Sequence, residues 1–118
     1  MKGPRYPLVR VKALVRKGGL FVQRTRALDE LVSREGSHRE ALEFVARAIE
    51  KLDERDFVET LRMTWDVADV YALRFESVAW YVKLYVDEAV PETTVISFHP
   101  LERPIRRRGG WLEPGGKA

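Results

Sequence analysis

An α+β domain is the fold class this sequence predicts: an antiparallel sheet of about four strands with N-terminal helices packed on one face. Two observations carry that reading. Apolar residues follow helical spacing only in the first half of the chain, between Tyr6 and Leu52. Strict two-residue alternation takes over afterwards, most plainly in Val78 to Val86 (VAWYVKLYV). Helices therefore come first and strands second.

Tyr6 to Lys17 reads as an amphipathic helix with Leu8, Val11, Leu14 and Val15 inward. Pro7 suits its start and Gly18-Gly19 its end. Leu20 to Gln23 is a short edge-strand candidate. Thr25 is placed to cap a second helix through about Arg34, with Leu28, Leu31 and Val32 inward and Gly36 as its breaker. Ser37 and Glu40 form a capping-box pattern ahead of a third helix over residues 38 to 52. Asp53 to Phe57 turns out of it. Strand candidates follow at Val58 to Met63, Ala68 to Phe75, Val78 to Val86 and Thr94 to His99. Glu76-Ser77 is a tight link, which predicts a hairpin. In the last strand Ile96 and Phe98 are expected inward, with Val95, Ser97 and His99 outward. A single domain over residues 1–105 is expected, followed by an Arg/Gly-rich mobile tail over 106–118.

Composition narrows the chemistry. The 118 residues contain no cysteine and two histidines, which excludes disulfides, thiolate sites and a structural zinc centre. No metal and no cofactor is expected. No apolar run reaches membrane-spanning length, and Met1 to Lys17 lacks a continuous apolar stretch. A cytoplasmic protein that makes no membrane contact is the resulting expectation. The net charge of +3 is unevenly spread: residues 1–26 hold eight basic residues and no acid, and the last eighteen residues are also cationic. A polyanion suits such a chain, and so does plain solubilisation by charged ends.

The outward set of Val78 to Val86 is Ala79, Tyr81, Lys83 and Tyr85, spaced about 7 Å per step. A phenol, an ammonium and a phenol suit a phosphate and stacked bases; the same face suits ordinary solvation. No phosphate loop, dinucleotide fold, hydrolase elbow or metal cluster is recognisable. What remains is acid–base chemistry. Cleaving RNA needs a base for the ribose 2′-hydroxyl, a cation for the crowded phosphate and an acid for the leaving oxygen. Tyr81, His99 and Lys83 are the catalytic candidates. Arg74, Tyr85, Glu59 and Arg62 are the RNA-binding candidates. His99 equally suits a strand-end histidine bonded to a turn, and His38, beside a helix cap, reads as structural.

Several short motifs resemble the MqsR (motility quorum-sensing regulator) toxins, over roughly residues 6 to 100. Val11-Lys12-Ala13-Leu14-Val15 with Gly18-Gly19 is similar to that family's opening VKxLV…G helix. Ile49 to Phe57 (IEKLDERDF) resembles I-x-x-L-x-x-x-D-F, and Asp69-Val70-Tyr71 resembles the end of Q-D-V-Y. Trp80 to Lys83 and Val95 to His99 resemble V-Y-L-K and V-S-F-K. The resemblance implies a RelE-like fold and a metal-independent endoribonuclease, an mRNA interferase of a type II toxin–antitoxin system. It also implies an RNA substrate, a cognate antitoxin protein, and DNA reached only through the antitoxin complex. The family's active-site tyrosine falls on Tyr81 and its strand lysine on Lys83. Its terminal lysine falls on His99, its lysine after D-F on Glu59, and its glutamine on Ala68. Those departures leave a second expectation open: a catalytically degenerate member that binds RNA or acts as a regulatory interaction protein.

Overall fold

Helical and strand periodicities resolve into separate layers in a computed structural model that describes residues 3–64 and 66–115. Helix α1 (Leu8–Arg16) starts at Pro7 and turns Val11 and Leu14 inward. Helix α2 (Arg26–Glu35) is capped by Thr25, whose hydroxyl accepts the Leu28 amide at 3.1 Å. It stops at Gly36, where a φ of 110° suits a residue without Cβ. Helix α3 (His38–Lys51) has Ser37 as its cap, accepting the Glu40 amide. The Glu40 carboxylate accepts the Ser37 hydroxyl rather than completing the expected box through the backbone. A full box forms one helix later, where Asp53 and Asp56 bracket a short 3₁₀ turn.

Five strands make the main sheet: β1 (Leu20–Val22), β2 (Phe57–Arg62), β3 (Val67–Phe75), β4 (Val78–Asp87) and β5 (Glu92–Pro100). Their order is β1-β5-β4-β3-β2. All neighbours run antiparallel except β1, which lies parallel to β5. The β3–β4 link is tight, with Glu76 and Ser77 both at positive φ (51° and 71°), as a two-residue hairpin turn of primed type requires. The three helices cover one face. Phe44 of α3 meets Phe75, Trp80 and Phe98 edge-on, with centroids 5.1, 5.4 and 6.1 Å away. Truncating such a ring typically costs about 3–5 kcal/mol. The same layer buries Asp69. Its carboxylate accepts the Arg5 amide (2.9 Å), the Tyr6 amide (2.8 Å) and the Thr60 hydroxyl (2.6 Å), which anchors the segment ahead of α1 to β3.

Two features depart from the sequence expectation. The β4–β5 register shifts between Lys83 and Leu84: Lys83 faces Ser97, but Leu84 faces Val95. Ile96 is the extra residue of a bulge. Val95 is therefore buried in the helix-side core, and Ile96 sits on the outer side near Tyr85, the reverse of the simple alternation. Second, the segment read as a mobile tail forms a hairpin, β6 (Ile105–Arg107) and β7 (Gly110–Leu112). Ile105 and Leu112 join Leu101, Val58 and Tyr81 over Ala72 and Ala79, making a second small core on the face opposite the helices. The turn is tied to β2 and the 3₁₀ turn before it by the Arg108 amide on the Phe57 carbonyl (2.7 Å) and the Gly109 amide on the Arg55 carbonyl (2.8 Å). Residues 116–118 of that segment lie outside the described residues. No helix among the described residues is long and apolar enough to cross a membrane.

Candidate functional site

Alternation on β4 sends Ala79, Tyr81, Lys83 and Tyr85 to the face away from the helices, and the hairpin covers only the Ala79 end. Cross-strand register sets the rows of the open part. Tyr81 pairs with Ala72 on one side and His99 on the other. Lys83 pairs with Val70 and Ser97, and Val70 pairs with Glu59. The Tyr81 and His99 rings stack, with centroids 4.9 Å apart and planes inclined by 13°. Both line a pocket of about 280 Å³, closed on its other side by the stretch Leu101 to Ile105. Arg103 supplies the positive charge of that wall and Glu102 a negative one.

Protonation follows from contacts. His99 Nδ1 lies 2.8 Å from the Pro100 carbonyl oxygen. A carbonyl only accepts, so Nδ1 holds a hydrogen, and Nε2 of the neutral ring keeps its lone pair. Burial, and then the Glu59 charge, raise the Tyr81 phenol above its ordinary pKa. Tyr81 thus keeps its proton and is available as a donor. Lys83 is half-buried, and among the described residues neither it nor the exposed Arg103 forms an ion pair. An acceptor nitrogen, a phenolic donor and unpaired cations on one face are the parts an acid–base reaction at a phosphate needs.

The other predicted residues scatter. Glu59 shares the Lys83 row and acts on Tyr81 through its charge. Tyr85 faces the same way as Tyr81 but stands about 13 Å along the strand; it lines a separate hollow with Gln23, Met63, Asp66 and Ile96. Arg74 is not available for a phosphate, because its guanidinium donates to the carbonyls of Glu113 (3.1 Å) and Gly115 (3.0 Å). Arg62 is on the other side of the sheet. It is two residues from Thr60, which reaches the buried Asp69, and it groups with Arg5 and Tyr6. Part of the basic N-terminal stretch is also engaged: Arg10 with Glu88, Arg16 with Glu50, Arg24 with Asp29, and Lys12 on the Leu52 carbonyl.

Sequence reasoning missed the Leu101–Ile105 wall and Arg103 within it. Pro100 and Pro104 signalled only a strand end; that the chain then folds back beside Tyr81 depends on the small core under the hairpin. No group of His, Asp or Glu side chains among the described residues could hold a metal ion. Neither a model of a known protein family nor a curated protein matches this chain.

Proposed function

We propose that the chain is a metal-independent endoribonuclease, a toxin-like mRNA interferase of the MqsR kind with a RelE-like fold. The observation that carries this reading is the stacked Tyr81–His99 pair at the mouth of a pocket walled by Arg103. His99 Nε2 takes the ribose 2′-hydroxyl proton, and the oxygen attacks the adjacent phosphorus to leave a cyclic phosphate. Tyr81 donates to the phosphate or the departing 5′-oxygen. Lys83 and Arg103 offset the charge that builds on the phosphate. RNA is then the substrate, a cognate antitoxin the protein partner, the cytoplasm the place of action, and DNA is met only through the antitoxin complex.

A second reading is favoured by one set of observations: Glu59 brings negative charge toward Tyr81, and Arg74 is tied to backbone carbonyls. Both weaken phosphate activation and fit a catalytically degenerate, RNA-binding member. Incubating RNA with the protein in EDTA separates the two. The nuclease reading expects cleavage with cyclic phosphate ends, lowered about 10²-fold or more in His99→Ala and lowered also in Tyr81→Phe. Equal cleavage in all three proteins, or none in any, removes it.

A further inference from the structure

The hairpin β6–β7 presents two faces, and packing explains only one. Ile105 and Leu112 point down into the small core. Arg106 and Trp111 are the cross-strand pair between those positions and the turn, and they stand on the opposite side. Trp111 is 64% exposed. Among the described residues it makes no hydrogen bond, ring contact or cation contact, so nothing in the fold uses its indole. Arg106 beside it is exposed and forms no ion pair among the described residues. A large aromatic ring left in water next to a free guanidinium is the composition of a base-stacking platform, since every base offers a π-face and every nucleotide a phosphate.

Continuity with the pocket selects the occupant. Ile105 is both the last residue of the pocket wall and the first residue of β6. Arg106 follows it, one Cα step of about 3.8 Å on, and Trp111 stands about 5 Å across the strand pair from Arg106. A single strand whose phosphate lies between Tyr81 and Arg103 reaches this pair with its next nucleotides. The positive charge of Arg103 and Arg106, without carboxylate partners among the described residues, favours that strand over a neutral protein segment, and the exposed Trp111 indole, a stacking surface for bases, favours it over an acidic one.

We propose that Trp111 and Arg106 form a second RNA subsite, which stacks a base of single-stranded RNA outside the Tyr81–His99 pocket. The inference rests on the reading of that pocket as an RNA site. Its test uses two probes. One is a single-stranded 2′-O-methyl RNA about ten nucleotides long, which cannot be cut. The other is a ribodinucleoside monophosphate, too short to span both places. Trp111→Ala should weaken the oligomer about 10-fold or more, Trp111→Phe much less, and Arg106→Gln by several-fold with a shallower salt dependence. None of the three should change dinucleotide turnover. An unchanged oligomer affinity in Trp111→Ala overturns the subsite while leaving the nuclease reading intact. Trp111-dependent oligomer binding without dinucleotide turnover keeps the subsite and removes catalysis. No oligomer binding by the parent protein at low salt overturns the subsite and assigns the exposed indole to a protein contact. Because Trp111 lies outside both cores, the melting temperature of each variant should stay near that of the parent.

Discussion

Tyr71 lies midway along β3, its ring edge-on to Phe57 at 5.6 Å and its hydroxyl buried with no hydrogen-bond partner among the described residues. An unmatched buried hydroxyl costs about 1–3 kcal/mol. Burial, and then the Asp69 charge, push the phenol well above the pKa of a free tyrosine. Tyr71→Phe should therefore stabilise the fold by about 1 kcal/mol, seen as a higher urea midpoint at unchanged slope. The pH dependence has a definite sign. The native phenol holds its proton more tightly than the unfolded one, so this group's contribution is complete below the unfolded value of about 10. It falls as pH rises beyond that, because only the unfolded chain gains by ionising. The advantage of Tyr71→Phe over the parent should widen above pH 10; a constant gap would refute the assignment. Tyr81 shifts in the same direction for the same two kinds of cause, burial first and a carboxylate second, which is why it is a donor in the proposed reaction.

At the level of elements, the hairpin β6–β7 depends on a close approach at Gly109. A Cβ there would lie 2.8 Å from the Arg55 Cβ and 2.9 Å from the Arg55 carbonyl oxygen. Gly109→Ala must push the turn away from Arg55 and β2, weakening the two backbone bonds beside it. The expected result is faster amide exchange at Arg108 and in β7, with β3 and β4 still protected; equal exchange in variant and parent would contradict this docking. The same hairpin marks where the sequence was readable. Thr25 and Ser37 announced α2 and α3 because a capping hydroxyl acts within three residues. Val78 to Val86 announced β4 because alternation on a half-buried strand is local. Ile96 could not be placed, since a bulge is defined by the partner strand. Arg74 looked free because the carbonyls it binds are 39 and 41 residues away. The Tyr81–His99 pairing was legible in part: alternation put both rings outward, but their stacking required the register that the bulge allows. The Arg- and Gly-rich composition of residues 106–110 hid a strand pair only three residues long on each side.

Across the whole molecule, charge is distributed less simply than its totals imply. In the basic N-terminal stretch Arg10, Arg16 and Arg24 pair with Glu88, Glu50 and Asp29, while Lys83 and Arg103 beside the open sheet face and Arg106 on the hairpin form no ion pair among the described residues. RNA binding should therefore release few counterions. Three neutralised phosphates correspond to a slope of about −2 in log K against log salt for a single strand. Anisotropy titrations of the uncleavable oligomer at several salt concentrations measure it, and a slope near −6 would mean that the N-terminal cluster binds instead. The anchoring of Arg5 and Tyr6 on Asp69 has a temporal consequence. Their partner lies 64 and 63 positions further along the chain, so during synthesis the leading segment leaves the ribosome with nothing to hold it. It can settle only once β3 has emerged, which makes the stretch ahead of α1 among the last parts of this domain to become fixed.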